Sequence, residues 1–156
     1  MESISWTWGL SLSALTIAIH TMGVVVMALV GLVIRIRWLE PRALGLGHVI
    51  LIVIGVIGAV GLPLAVLHGI EAMIWAAAYV WLGAIDSPQD AILYSVDSMT
   101  TRGASGLTLQ PNWRMMGALE AADGMLLFGI STAYIFAVMQ AYWPMLSKPL
   151  MTGRHS

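Results

Sequence analysis

The chain has 156 residues, 59% hydrophobic and only 10% charged, with a mean hydropathy of +0.87. A water-soluble domain carries roughly a quarter charged residues, so a soluble protein is excluded and an integral membrane protein is indicated. The net charge of −1 gives no footprint for nucleic acid, and the absence of cysteine excludes disulfides and thiol chemistry. The length suits one small helical bundle with no separate soluble domain.

The first apolar segment runs from about Leu10 to Ile34, long enough for a hydrocarbon core of roughly 30 Å. Trp6 and Trp8 mark one interface and Trp38 the other, and His20 falls near the middle. The residues before it lack a basic region, so the segment reads as an anchor and not as a cleaved signal. A basic loop follows, with Arg35, Arg37 and Arg42. The positive-inside rule assigns this loop to the cytoplasm, together with Lys148 and Arg154 of the tail, and leaves the N-terminus outside.

The next apolar stretch, about Leu44 to Ile85, would be about 60 Å long as one straight helix, twice the core thickness. Two spans broken at Gly61-Leu62-Pro63 would put the basic loop and the tail on opposite faces. One span kinked at Pro63 keeps them together and is the expectation. Trp75, Tyr79 and Trp81 near its end suit an outer aromatic belt.

Asp86 to Gly106 is too short to span a bilayer and too apolar for a solvated loop. Ser87 is a helix cap, Pro88 fits the first helical position, and Asp90 completes an S-x-x-D capping box. The helix is expected to end near Thr100, where T-T-R-G-A-S-G releases the backbone. A short helix followed by irregular chain, between two membrane spans, is the layout of a re-entrant pore loop. The last span is expected over about Trp113 to Tyr142, capped by Asn112, with Gly117, Gly124 and Gly129 small enough for close helix contact. Tyr142, Trp143 and Pro144 would end it.

Ile92 to Gly106, I-L-Y-S-V-D-S-M-T-T-R-G-A-S-G, resembles the pore helix and filter of potassium channels. The segment G-A-L-E-A-A-D-G-M-L-L-F-G-I-S-T-A-Y-I-F-A-V-M-Q resembles the inner helix of small bacterial potassium-channel-like proteins. The resemblance covers about Leu67 to Trp143. It implies an all-α membrane fold: three transmembrane helices, a re-entrant pore helix over Ala91–Thr101 and a filter loop over Thr100–Ser105, assembled as a homotetramer in a bacterial inner membrane. Residues 1–42 would hold the N-terminal helix and basic loop, 43–144 the pore domain, and 145–156 the cytoplasmic tail. A filter built from rings of backbone carbonyls needs several copies of the one loop per chain. The partners are therefore the lipid bilayer and three further copies. The implied function is passive flow of a monovalent ion, with no enzyme chemistry and no resident cofactor.

Matched to the family pattern, Thr100 and Thr101 fall on its two threonines, Arg102 on the valine and Gly103 on the first glycine. Ala104 takes the tyrosine place and Ser105 that of the second glycine. These departures leave potassium selectivity open. A pore-facing Arg102 would favour anions, so an anion-permeable or non-conducting relative is the alternative. An Arg102 pointing away from the axis needs a carboxylate, and Asp97 or Glu120 is expected to supply it and brace the filter. Met125, Gly129, Thr132 and Phe136 are expected to line the cavity at helical spacing.

His68 and Glu71 share a helical face. They read first as helix-gluing polar groups, as does His20, although a small metal or haem protein built on the three is a further alternative. Asp123 and Glu120 could attract cations or bond between helices. His48 is expected at the inner interface.

Overall fold

The hydropathy pattern is realised as helices. The computed structural model describes residues 2–38, 46–103 and 105–152, with side chains defined for all but the ends of the long helices. The elements are α1 (Glu2–Trp38), α2 (Leu46–Trp81), α3 (Pro88–Met99), a single 3₁₀ turn (Pro111–Trp113) and α4 (Arg114–Thr152). Three stretches are long and apolar enough to cross a membrane: Ser3–Arg35, Gly47–Trp81 and Pro111–Met145. Arg42, Ala104, Arg154 and His155 lie outside the described residues.

The stretch around Pro63 is one helix, not two, since α2 runs unbroken with Pro63 inside it. Proline has no N–H, so the Ala59 carbonyl loses its helical donor there. Both ends of the last helix differ from expectation. Asn112 caps nothing: it sits within the 3₁₀ turn, which Gln110 precedes without a side-chain cap bond. Pro144 does not end the last helix, which continues to Thr152.

Two compact units divide the chain, Met1–Met22 with Val66–Ile130 and Gly23–Ala65 with Ser131–Ser156. In the first, α2 runs antiparallel to α1 and α4. Trp8 meets Trp81 edge to face at 5.2 Å, and Thr16 and Gly9 reach Asp123 and Leu119 of α4. Its apolar core joins Leu12, Trp75, Ala76, Tyr79, Ala91, Leu109 and Met116. In the second unit Val49, Val53 and Tyr142 are buried together, and the Arg35 guanidinium lies 5.7 Å from the Tyr142 ring centroid. His48 is exposed there.

α3 forms for local reasons. Ser87, with extended φ, accepts a 3.4 Å bond from the Asp90 N–H, and Pro88 takes the first turn. Its packing is equally specific. Ser95 Oγ donates to the Ala72 carbonyl of α2 at 2.8 Å, and Ser98 Oγ to the Gly117 carbonyl of α4 at 3.0 Å. The end of α3 lies on Gly124. A Cβ there would stand 2.7 Å from Met99 Cα and 2.9 Å from its carbonyl carbon, so only glycine admits this approach. Gly117 is similarly close to Tyr94, whereas Gly129 has nothing within 4 Å. The whole excursion starts and finishes at one place, because the Gln110 N–H donates to the Ala84 carbonyl at 3.4 Å.

Candidate functional site

The loop after α3 opens with a glycine-type cap built on a threonine. The Arg102 N–H bonds the Asp97 carbonyl at 3.0 Å and the Thr101 N–H bonds the Ser98 carbonyl at 2.8 Å. This 6→1 and 5→2 pair is the Schellman motif, which needs a left-handed residue at its turn. Thr101 fills that place at φ 54°. It is the sole non-glycine with positive φ among the described residues, and a β-branched residue there is strained. Gly103 at φ 62° and Gly106 at φ 72° supply the next left-handed turns at no such cost. The helix therefore stops at Met99, with Thr100 as its C-cap, two residues short of the expected pore-helix end at Thr101. The Thr100 hydroxyl turns back to the Val96 carbonyl at 2.8 Å.

Asp97 holds this loop with both oxygens. Oδ1 accepts from Arg102 Nε at 2.7 Å and Oδ2 accepts from the Ser105 N–H at 2.9 Å. The expected pairing of Arg102 is thus present, and with Asp97. Glu120 is not its partner: Glu120 bonds Ser95 and the Tyr79 hydroxyl instead. The physical ground also differs from expectation. Asp97 is buried at 4%, but the Arg102 side chain is 61% exposed, so the pair is not a response to burial of both charges. A pocket of about 380 Å³ opens beside the loop, bounded in part by Tyr94, Asp97, Ser98, Thr101 and Ser105. Burial raises the Tyr94 hydroxyl above its usual pKa, with the carboxyls of Glu120 and Asp97 adding to the shift.

Met125, Gly129, Thr132 and Phe136 are all exposed along α4, as a stripe at helical spacing. Ile92, Leu93 and Val96 of α3 are also 43–47% exposed.

A ladder of buried polar groups lies on the other side of α3. Glu71, Trp75 and Tyr79 follow at i, i+4 and i+8 on one face of α2, each fully buried. Tyr79 donates to Glu120 Oε2 at 2.7 Å. Trp75 Nε1 donates to Asp123 Oδ2 at 3.3 Å, and Thr16 Oγ1 donates to the same oxygen at 2.6 Å. Glu71 Oε1 lies 2.9 Å from His20 Nδ1, and Oε2 lies 3.3 Å from His68 Nδ1. The aromatic belt expected from Trp75, Tyr79 and Trp81 is accordingly corrected. Trp75 and Tyr79 point inward to carboxyls, and only Trp81, at 72% exposure, is available to face lipid. Glu120 and Asp123 take the interhelical bonding role. His20, His68 and Glu71, grouped from the sequence only as an alternative to separate helix-gluing roles, do come together, and the His20–Glu71 contact closes across 51 residues.

No family model, curated protein or solved structure matches the chain.

Proposed function

We propose that the chain is one subunit of a homotetrameric pore-loop ion channel of the potassium-channel-like class, conducting cations passively. The observation that carries this reading is the excursion between Ala84 and Gln110: a twelve-residue helix, then a loop of left-handed turns, returning to its starting point. Its depth fits a half-dip. The end of α3 lies near Ala72, nine residues back from the end of α2, and near Gly124, ten residues into α4. At 1.5 Å per residue that is roughly 14–15 Å, about half of a 30 Å hydrocarbon core.

Irregular backbone at such depth requires protein or water to satisfy it. Asp97 supplies the protein bonds, and the open pocket beside the loop gives water access. The φ angle is negative at Thr100 and positive at Thr101 and Gly103, and backbone that alternates in hand in this way is what a carbonyl-lined filter calls for. The C-terminal end of α3 directs its negative dipole toward that loop. The exposed Ile92, Leu93 and Val96 on a helix that does not span give neighbouring copies an apolar surface to cover.

A second reading, an anion-permeable or non-conducting pore, draws on the 61% exposure of Arg102. The Asp97 contact weighs against it, since each Arg102–Asp97 pair is neutral as a unit. Liposome flux of potassium, sodium and chloride, with reversal potentials in KCl gradients, separates the readings. Cation flux with reversal near the potassium potential is expected. Reversal at the chloride potential, or no flux of any ion, refutes the cation channel.

A further inference from the structure

The pore reading makes no use of the innermost rung of the ladder. We propose that His20, His68 and Glu71 form a binding site for a divalent transition-metal ion of the zinc type, which ties α1 to α2. The site lies outside the Ala84–Gln110 excursion and stands or falls independently of ion conduction.

The ligand set suits the ion. Two imidazoles and one carboxylate are a recurrent zinc set, tetrahedral, with a fourth position for water or another oxygen. Without any cysteine the chain offers no soft thiolate, and nitrogen with oxygen donors favours zinc over copper(I). His68 and Glu71 are three apart on α2, so both project from one face, and α1 brings His20 against them. One donor atom from each residue falls within 4.8 Å of the others.

The distances and the bonding left unmade point the same way. Glu71 is wholly buried, yet its Oε2 accepts no hydrogen bond. A buried carboxylate oxygen without a donor is costly, and a cation resolves it. Oε2 approaches His68 Nδ1 to 3.3 Å without hydrogen-bond geometry. With metal–ligand bonds of about 2.0–2.2 Å, neighbouring donors of a tetrahedron stand roughly 3.3–3.6 Å apart, so this separation is that of two ligands. The His20 Nδ1 to Oε1 distance of 2.9 Å requires only a small outward movement.

The rings are already oriented. Phe128 stacks on His68 with centroids 4.2 Å apart and planes 18° apart, and the His20 and His68 centroids are 5.0 Å apart. Charge also balances. Asp123, the next rung, likewise keeps a buried oxygen, Oδ1, without a hydrogen bond. Two carboxylates close to one another offset the charge of one divalent cation in a medium that tolerates little net charge.

The test is titration of the full-length, chelator-treated protein in detergent with Co²⁺, a spectroscopic substitute for Zn²⁺, and then with Zn²⁺. One Co²⁺ per chain with a visible d–d band of tetrahedral intensity, displaced by Zn²⁺, is expected. Glu71→Gln and His68→Gln should each weaken binding by more than the roughly 10–100-fold that loss of an outer-shell partner causes. A His48→Ala/His155→Ala variant should keep the band. If Glu71→Gln or His68→Gln does not fold, the wild type alone decides, because a bound ion raises its midpoint of thermal unfolding in proportion to the logarithm of Zn²⁺ concentration. No saturable band and no thermal shift in the wild type overturn the proposal. Undiminished binding by a folded Glu71→Gln variant, or loss of the band in the His48/His155 variant, overturns it equally.

Discussion

Replacing Asp97 with Asn is the sharpest single perturbation of the loop. The wild-type carboxylate accepts two bonds at once, from Arg102 Nε at 2.7 Å and from the Ser105 N–H at 2.9 Å. Asparagine has one acceptor oxygen and an NH₂ group that donates. Either Arg102 or Ser105 must then face a donor. The Arg102 side chain is mostly solvated, so its share of the loss is small. The Asn oxygen therefore turns to the partly buried Ser105 amide, which exchanges a bond to a charged group, worth about 1.5–3 kcal/mol, for one to a neutral oxygen, worth about 0.5–1.5 kcal/mol, a loss of about 1–1.5 kcal/mol. Opening of the loop at Ser105 should then become roughly 5- to 13-fold more frequent. Hydrogen exchange resolved at the Ser105 amide, in the folded protein in lipid nanodiscs, reads this factor directly. The same substitution leaves the Arg102 charge unbalanced in each copy, so the reversal potential of Asp97→Asn should move toward the chloride value. Wild-type exchange at Ser105 together with an unmoved reversal potential would refute the role given to Asp97.

Gly124→Ala places a Cβ into the Met99 backbone, which cannot swing away as a side chain can, so destabilisation of about 1–3 kcal/mol is expected in SDS titration of the folded protein. Gly129→Ala, with nothing within 4 Å, is the control and should change little. Thr101→Gly removes a left-handed strain of about 1–2 kcal/mol and adds about 0.5–1 kcal/mol of chain entropy cost, a net stabilisation of up to about 1.5 kcal/mol. Ion flux should nevertheless fall, since the turn becomes free to leave its conformation; a stabilised variant with full flux would show that Thr101 is not held there for conduction.

What could be read in the chain beforehand follows from how local each signal is. Ser87, Pro88 and Asp90 lie within four residues, and a cap of that kind is decided by its own neighbours. Arg102 and Asp97 are one helix end apart, so their pairing was open to inference from spacing and charge. Membrane spans were legible from apolar length alone. Trp75 and Tyr79 were misread because their partners, Asp123 and Glu120, come from another helix more than 40 residues on. An amphipathic ring carries the same letter whether its polar tip meets a headgroup or a buried carboxyl. Pro144 misled for a related reason. A proline forbids one hydrogen bond, but a helix continues where neighbouring groups tolerate the lost donor. The joining of His20 to Glu71 depends on how α1 lies along α2, which no short-range pattern encodes.

The buried ladder also bears on how the protein enters its membrane. A lone acidic side chain at the centre of a spanning helix opposes insertion by about 2.5–3.5 kcal/mol on the scale measured for aspartate. α2 carries Glu71 in its span, and α4 carries Glu120 and Asp123 in its own. Neither segment meets lipid favourably at those positions alone, and every one of these carboxyls has its donor on a different helix. The apolar remainder of each span offsets that cost, and association of the helices then gives each carboxyl its partner, with α1, made first, in place to receive α2 and then α4.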